Sequence, residues 1–443
     1  MRELERGDCR NVNFSKHRFR KQPWTRRAKI MLLGSIVLVT LNSCSRGYEG
    51  NSAALSIAVT PALVDKGQYL ARAANCATCH TTAEGAAFSG GVAFETPFGR
   101  VYSANITPDR ATGLGTWTVQ QFARSLRQGV RPSGQHLYPV FPYPAFTKIT
   151  DEDAAALFAY LRHVPAVRFQ VPANDMSFPF GQRWLLSPWK TLFLDEGPFE
   201  SNASTSAEIN RGAYLVEGLS HCSACHSPRN LLGAEKSAKR MTGGTYRDES
   251  ADGVVRPWSA PNLTPVANGL GAWPVPEIVA YLKTGTNAYA TTYGPMNNVI
   301  LNGTQHLSDV DLKAIAMYLK SLTPIETAGG PSAAPEILQA GETLYNVNCG
   351  TCHQPNGLGA DEAGPRLAGS LVVQASDAAS LINIILYGPD LPDPAPAGHK
   401  WRPMESYGDE LSDEDVAALA SYIRSAWNNK GGAVMPEQVE AQR

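Results

Sequence analysis

One five-residue pattern occurs three times in this chain of 443 residues and restricts its fold more than any other feature. The copies are Cys76-Ala77-Thr78-Cys79-His80, Cys222-Ser223-Ala224-Cys225-His226 and Cys349-Gly350-Thr351-Cys352-His353. Two thiols at this spacing reach the two vinyl groups of one porphyrin and form thioethers, and the histidine that follows turns its imidazole toward the iron. C-x-x-C-H is the attachment pattern of c-type haem. A zinc site takes cysteine pairs in twos, and three pairs leave one over. A redox dithiol of the thioredoxin kind requires a βαβ context, which does not surround these motifs. The copies lie 146 and 127 residues apart, each the length of a small domain. The expectation is three covalently bound haem c groups. Cys76, Cys79, Cys222, Cys225, Cys349 and Cys352 would hold them, and His80, His226 and His353 would be proximal ligands.

The segments between the motifs also repeat. Asn105-Ile106-Thr107-Pro108, then Thr112 to Trp117 (TGLGTW) and Ser125 to Gly129 (SLRQG), follow the first motif. Asn262-Leu263-Thr264-Pro265, then Asn268 to Trp273 (NGLGAW) and Tyr281 to Gly285 (YLKTG), follow the second. The Asn-x-Thr triplets read as turns. Each unit closes on an amphipathic segment opened by a capping pattern: Thr150 to Asp153, Ser308 to Asp311, and Ser412 to Asp415. Each repeat therefore reads as helix, motif, long loop and closing helix, which makes an all-α chain the expectation. The units span residues 60–193, 209–323 and 336–430. Leu194 to Glu208 and Pro324 to Pro335 read as polar and Pro/Gly/Ala-rich linkers. The aromatic stretch from Asn174 to Phe193 reads first as packing of one unit on its neighbours and second as a docking surface for a partner subunit or the membrane.

Charge is unevenly placed. Residues 1–29 carry ten Lys/Arg and three Asp/Glu, which leaves 29 basic and 37 acidic residues in the rest. An acidic body is the wrong balance for a duplex-binding protein, so no nucleic acid is expected as partner. Residues 1–43 read as an export signal. Arg26, Arg27 and Lys29 flank an apolar stretch from Ile30 to Leu41, which is too short to span a bilayer. It ends in Leu41-Asn42-Ser43-Cys44, similar to a bacterial lipobox, so Cys44 is the expected site of lipidation. The expected location is the periplasmic side of the bacterial cell membrane, with the lipid as tether.

The segments TPFGRVYSANITP, LYPVFPYPAFTKITDEDAAALFAYL, NRGAYLVEGLSHCSACHSPRN and GPM, followed by CHQPNGLG and PRLAG, carry a resemblance that covers residues 60 to 430. The chain resembles the triheme cytochrome c subunits of bacterial membrane-associated dehydrogenases. That family serves quinoprotein alcohol dehydrogenases, gluconate and sorbitol dehydrogenases, and molybdenum hydroxylases. The resemblance implies three tandem class I cytochrome c-type domains. It also implies an electron-transfer subunit that takes electrons from a quinoprotein, flavoprotein or molybdenum catalytic subunit and passes them to ubiquinone or a terminal oxidase. The run from Pro179 to Phe199, leading into NRGAYLVEGLSHC, is closest to the molybdenum-hydroxylase branch. The alternatives are a peroxidase-like haem enzyme, which needs an open iron position and distal acid–base groups, and a free electron shuttle.

The sixth iron ligands are not equivalent across the repeats. Met/His cytochromes c place a Met on the loop before the closing helix, and the thioether raises the iron potential. Met296 in Tyr293-Gly294-Pro295-Met296 and Met404 in Trp401-Arg402-Pro403-Met404 occupy that place in repeats two and three. In the first repeat the place holds Phe141, where many relatives have Met, and Phe cannot bind iron. That leaves Met176 as the preferred ligand, His136 as its rival, or an iron with an open position.

Overall fold

The computed structural model describes residues 58–250, 253–327, 329–392 and 398–443. The export signal, the lipobox and Cys44 lie outside the described residues.

Each repeat is built on one helix crossing. In the first, α1 (Pro61–Ala73) leads into the motif helix α2 (Cys76–His80), and after α3 (Val119–Gln128) and α4 (Tyr143–Phe146) the chain returns as α5 (Asp151–Leu161) to pack on α1. The second repeats this order. Its α7 (Ala207–Tyr214) precedes the motif helix α8 (Ser223–His226), while α9 (Val275–Thr284), α10 (Pro295–Asn302) and the closing α11 (Asp309–Ser321) follow. An aromatic helix, α6 (Leu186–Phe193), lies between these two repeats in sequence. The third comprises α12 (Pro335–Asn348), the motif helix α13 (Gly350–His353), α14 (Ala379–Tyr387) and the closing α15 (Asp413–Ser425). The capping signals act as expected: the Thr150, Ser308 and Ser412 hydroxyls accept from the backbone N–H groups of Asp153, Asp311 and Asp415 at 3.1–3.2 Å.

Close approach of the opening and closing helices depends on a glycine in each pair. A Cβ on Gly67 would lie 1.9 Å from the Ala156 carbonyl oxygen, one on Gly212 2.0 Å from Ala314, and one on Gly341 2.2 Å from Ala418. Four residues beyond each of these alanines, Tyr160, Tyr318 and Tyr422 present their Cβ atoms to the same three glycines at 2.7 Å from the built position. The crossing is thus one motif used three times: glycine on one helix, Ala-x-x-x-Tyr on the other.

The all-α expectation needs correction. Strands β1 (Ala93–Thr96), β2 (Gly99–Tyr102) and β3 (Asp175–Met176) form an antiparallel sheet, and β4 (Gly244–Glu249) pairs with β5 (Val255–Ala260). The loops after the first two motifs hold these hairpins. Exposure along Gly244–Glu249 alternates with period two, the mark of a half-buried strand. The first hairpin turns on Thr96, whose hydroxyl donates to the Gly99 carbonyl (2.6 Å) and accepts from the Phe98 N–H (3.1 Å). Strands of two to six residues are too short to stand out from loop in a sequence read for helical period.

Among the described residues, the buried apolar side chains fall into two clusters rather than one per repeat. One joins the first two repeats, with Leu70, Phe122, Leu157, Leu215, Ile278 and Leu312 among its members, and takes in Leu371 of the third; the other belongs to the third, with Tyr345, Ile382, Leu419 and Ile423. Polar contacts bind the first two repeats reciprocally. Tyr69 of α1 donates to Asp311 of α11 (2.7 Å), and Tyr214 of α7 donates to Asp153 of α5 (2.5 Å). Each aspartate also meets a cation from its own repeat: Lys66 at 2.6 Å for Asp153, and Arg211 through two hydrogen bonds of 2.8 and 2.7 Å for Asp311. Burial raises the Asp311 carboxyl pKa, but Arg211 and Tyr69 outweigh it and hold the group below its usual value. The third repeat has Ala340 and Thr343 at the places of the cation and the tyrosine, and so lacks this clasp.

The glycine crossing makes a direct prediction. Gly212→Ala should lower the unfolding free energy of the full chain by about 1–3 kcal/mol, the usual cost of overpacking. Denaturant unfolding measures it, and a loss within ~0.5 kcal/mol, as for a surface substitution, would refute the crossing as a close contact.

Candidate haem sites

In the first two repeats, the position of the motif is set by how the chain leaves the preceding helix. In the first repeat Asn75 takes a left-handed conformation (φ 52°), which asparagine tolerates better than most side chains, and the chain turns from α1 into α2. His221 does the same before Cys222 (φ 37°). None of the six motif cysteines is paired in a disulfide. Burial pushes the Cys76, Cys79, Cys222 and Cys349 thiols up to about 12 and Cys225 to about 11. A dithiol redox motif has the opposite property, a thiolate stabilised at neutral pH.

The three motif histidines share one hydrogen bond. His80 Nδ1 lies 2.6 Å from the Ala104 carbonyl, His226 Nδ1 2.8 Å from that of Pro261, and His353 Nδ1 2.7 Å from that of Pro365. A carbonyl only accepts, so Nδ1 carries the proton in each ring. Nε2 is left with a lone pair for a metal. Burial lowers the pKa of all three imidazoles, which keeps them neutral and able to ligate.

The acceptor carbonyls are aimed by residues that carry no ligand signal of their own. Next to Ala104, Asn105 accepts from the Thr107 N–H (2.9 Å) and hydroxyl (2.7 Å), and its Nδ2 donates to the Val167 carbonyl (2.8 Å). Next to Pro261, Asn262 repeats the pattern with Thr264 at 2.8 and 2.7 Å and with the Ile325 carbonyl at 2.9 Å. The Asn-x-Thr-Pro segments are the turns expected, and they also tie the chain beyond each closing helix to the histidine acceptor. In the third repeat Asn429 holds the equivalent stretch, accepting from Gly369 N–H (2.8 Å) and donating to the Leu367 carbonyl (3.1 Å). The repeated N-x-T-P is the only sequence signal for this support.

The donor set and its surroundings fit a haem. Among the buried polar atoms without a hydrogen-bond partner are two donors, the Tyr143 hydroxyl of α4 and the Trp258 Nε1–H of β5 beside Tyr293. Buried donors left in this way call for an acceptor, and the carboxylates of a porphyrin are one.

The candidate sixth ligands have different settings. Met296 is half-buried in the first turn of α10. Met404 is half-buried in irregular chain, its carbonyl oxygen 3.3 Å from a Cβ built on Gly388 just past α14. Met176 is half-buried in β3, paired with Gly99 of β2. The chain after it folds onto the loop of the missing methionine: the Tyr138 hydroxyl donates to the Phe180 carbonyl (3.1 Å), and Arg183 donates to that of His136 (2.7 Å). Phe141 sits against Phe146, ring centroids 5.5 Å apart. His136 is engaged elsewhere. Lys190 Nζ, which only donates, lies 2.9 Å from its Nδ1, so the ring proton is on Nε2 and neither nitrogen has a free lone pair. Within the aromatic stretch, Trp189 donates to the Leu232 carbonyl (2.9 Å) and Phe180 packs on Phe98, whereas Phe178, Trp184 and Leu192 stay exposed.

Comparison with known proteins agrees with this arrangement. Residues 64–165 and 338–427 match the cytochrome c family. The chain is 41% identical over 371 residues to a nicotinate dehydrogenase subunit of Pseudomonas putida, covering 82% of this chain and 30% of that protein. It is 38% identical over 402 residues to the cytochrome c subunit of the quinone-dependent alcohol dehydrogenase of Komagataeibacter europaeus, covering 85% of this chain and 84% of that one. It is 35% identical over 398 residues to the gluconate 2-dehydrogenase cytochrome c subunit of Pantoea cypripedii, covering 84% and 88%. The chain thus spans about a third of the first relative and most of the other two.

Proposed function

This chain belongs to the cytochrome c family, among the cytochrome c subunits of bacterial dehydrogenases, and on that premise we propose that it relays electrons from a dehydrogenase catalytic subunit to ubiquinone or another respiratory acceptor. The observation that carries the reading is the histidine arrangement repeated at three motifs, each Nδ1–H spent on a backbone carbonyl and each Nε2 left for iron. Bound haem supplies a one-electron couple at each motif. What the chain adds is attachment through Cys76/Cys79, Cys222/Cys225 and Cys349/Cys352, proximal ligation by His80, His226 and His353, and the dielectric that tunes each iron. The proposed units are three tandem cytochrome c domains over residues 60–193, 209–323 and 336–430, the first two sharing a core. No helix among the described residues is long and apolar enough to cross a membrane. The proposed tether is lipid on Cys44, after export to the periplasmic side.

For the sixth ligands the proposal is Met296 in the second repeat, Met404 in the third and Met176 in the first. Met176 is favoured over His136 because Lys190 occupies the one imidazole nitrogen that would otherwise be free to accept. A peroxidase-like role requires an open iron with distal acid–base groups, and the first repeat is where it would arise.

Three measurements test these points. Intact-mass spectrometry of the protein extracted from membranes should show three haem additions and a diacylglyceryl group on Cys44 as first residue; two haems, or a chain without lipid, would overturn the respective part. The isolated chain should be fully reduced by dithionite yet show no reduction by alcohols, aldehydes, sugars or nitrogen heterocycles unless a catalytic subunit is added. Substrate-driven reduction of the chain alone would defeat the relay reading. For the first haem, Met176→Leu should remove one Met–iron charge-transfer signal while His136→Ala leaves the spectrum unchanged; a bis-histidine signature lost only in His136→Ala would install His136, and no change in either would leave that iron open.

A further inference from the structure

Helix α10 belongs to the second repeat, but both of its ends are held by the other two. At its start, the Gly294 N–H (3.3 Å) and the Asn297 Nδ2 (2.6 Å) donate to one acceptor, the main-chain carbonyl of Asp390 in the third repeat. At its end, Asn302 Nδ2 donates to the Thr78 hydroxyl of the first repeat (2.9 Å). That hydroxyl lies 2.8 Å from Asn75 Oδ1 and 3.3 Å from the Asn298 carbonyl, both acceptors for its proton. Thr78 stands between the two cysteines of the first motif, so the bond joins the first attachment helix to the helix that carries Met296. Gly294, at φ +51°, lets the Trp258 ring close on the same turn, for a Cβ there would lie 2.8 Å from it. The side chains are placed for rigidity: Asn297 is 8% exposed, and its amide is committed across the seam. A second contact runs alongside, from Thr291 to His399 Nδ1 at 3.2 Å, between the segments that lead to Met296 and to Met404.

We propose that α10 is a strut between the three repeats, and that Asn297 and Asn302 are positioning residues holding Met296 on the second haem iron through the neighbours on either side. The proposal rests on reading Met296 as that iron's ligand. A thioether is a weak donor whose retention depends on how firmly its backbone is placed, and retaining it raises the iron potential. The redox level of the second haem is then set partly by residues of the first and third repeats.

The test uses the haem-loaded full chain with Asn297→Ala, Asn302→Ala and the pair, read by the Met–iron charge-transfer band and by the midpoint potential of each haem. Each single variant should weaken the band of one haem and lower that haem's potential, and the pair should do so further. Asn297→Gln, which keeps an amide donor, should restore both toward wild type. Met296→Leu gives the reference, complete loss of the same band. Should Met296→Leu leave every band intact, the ligand reading fails and the strut with it. Should Met296→Leu remove the band while the asparagine variants lower only the unfolding midpoint, the strut is refuted and the ligand reading stands.

Discussion

The helix crossing at Gly67, Gly212 and Gly341 is the contact on which the rest of the molecule depends. With the backbones that close, a Cβ would overlap the carbonyl of the facing helix, so side-chain volume cannot be used to space the two helices apart. The motif helix follows at the end of the opening helix, and its place relative to the closing helix is therefore fixed by the crossing. The reciprocal clasp has the same origin. Tyr69 and Tyr214 stand two residues after their glycines, where each reaches the capped aspartate that opens the other repeat's closing helix. One aspartate N–H completes its own helix cap while its carboxylate is taken by a cation and a tyrosine, so capping and inter-repeat adhesion use the same residue.

Around that frame the histidines receive their tautomer from backbone rather than side chains. A carbonyl acceptor is available from almost any residue, which is why Ala104, Pro261 and Pro365 serve equally well. What has to be specified is the carbonyl's direction. Asn105 and Asn262 provide it by closing a turn on the following Thr and anchoring the strand of chain beyond the closing helix. In the third repeat a single residue distant in sequence, Asn429, provides the same restraint from the C-terminal side.

The third repeat stands apart in its packing. Apart from Leu371, which packs into the core of the first two repeats, its core is separate, and without Tyr and a cation beside Gly341 it has no means of joining the clasp. It adheres instead through α14 and the loop after it. Ser380 and Ser259 exchange hydrogen bonds with each other's backbone, Asn383 donates to Pro257, and the Asp390 carbonyl takes up the start of α10. A seam built from hydrogen bonds to backbone fixes orientation without demanding a large apolar surface, and here it falls on β5 and on the start of α10, the helix that bears Met296.

The motifs, their spacing and the three capped closing helices were legible in the sequence because covalent attachment and helix capping are local. The chemistry of each lies within five consecutive residues. The repeated Asn-x-Thr-Pro was legible as a turn but not as a support, since its partners Val167 and Ile325 lie about sixty residues away. The short hairpins were missed for the same reason that makes them short: two to six residues give too few alternations to register as a period. The contact that engages His136 was not legible from its position on the chain, because Lys190 is brought from fifty-four residues away to the imidazole. Composition and local pattern therefore determined that this chain binds haem covalently in repeated helical units. Tertiary structure alone decided that two of those units share one core and that α10 joins all three, because hydrogen bonds between distant residues and the merging of apolar faces depend on which surfaces meet.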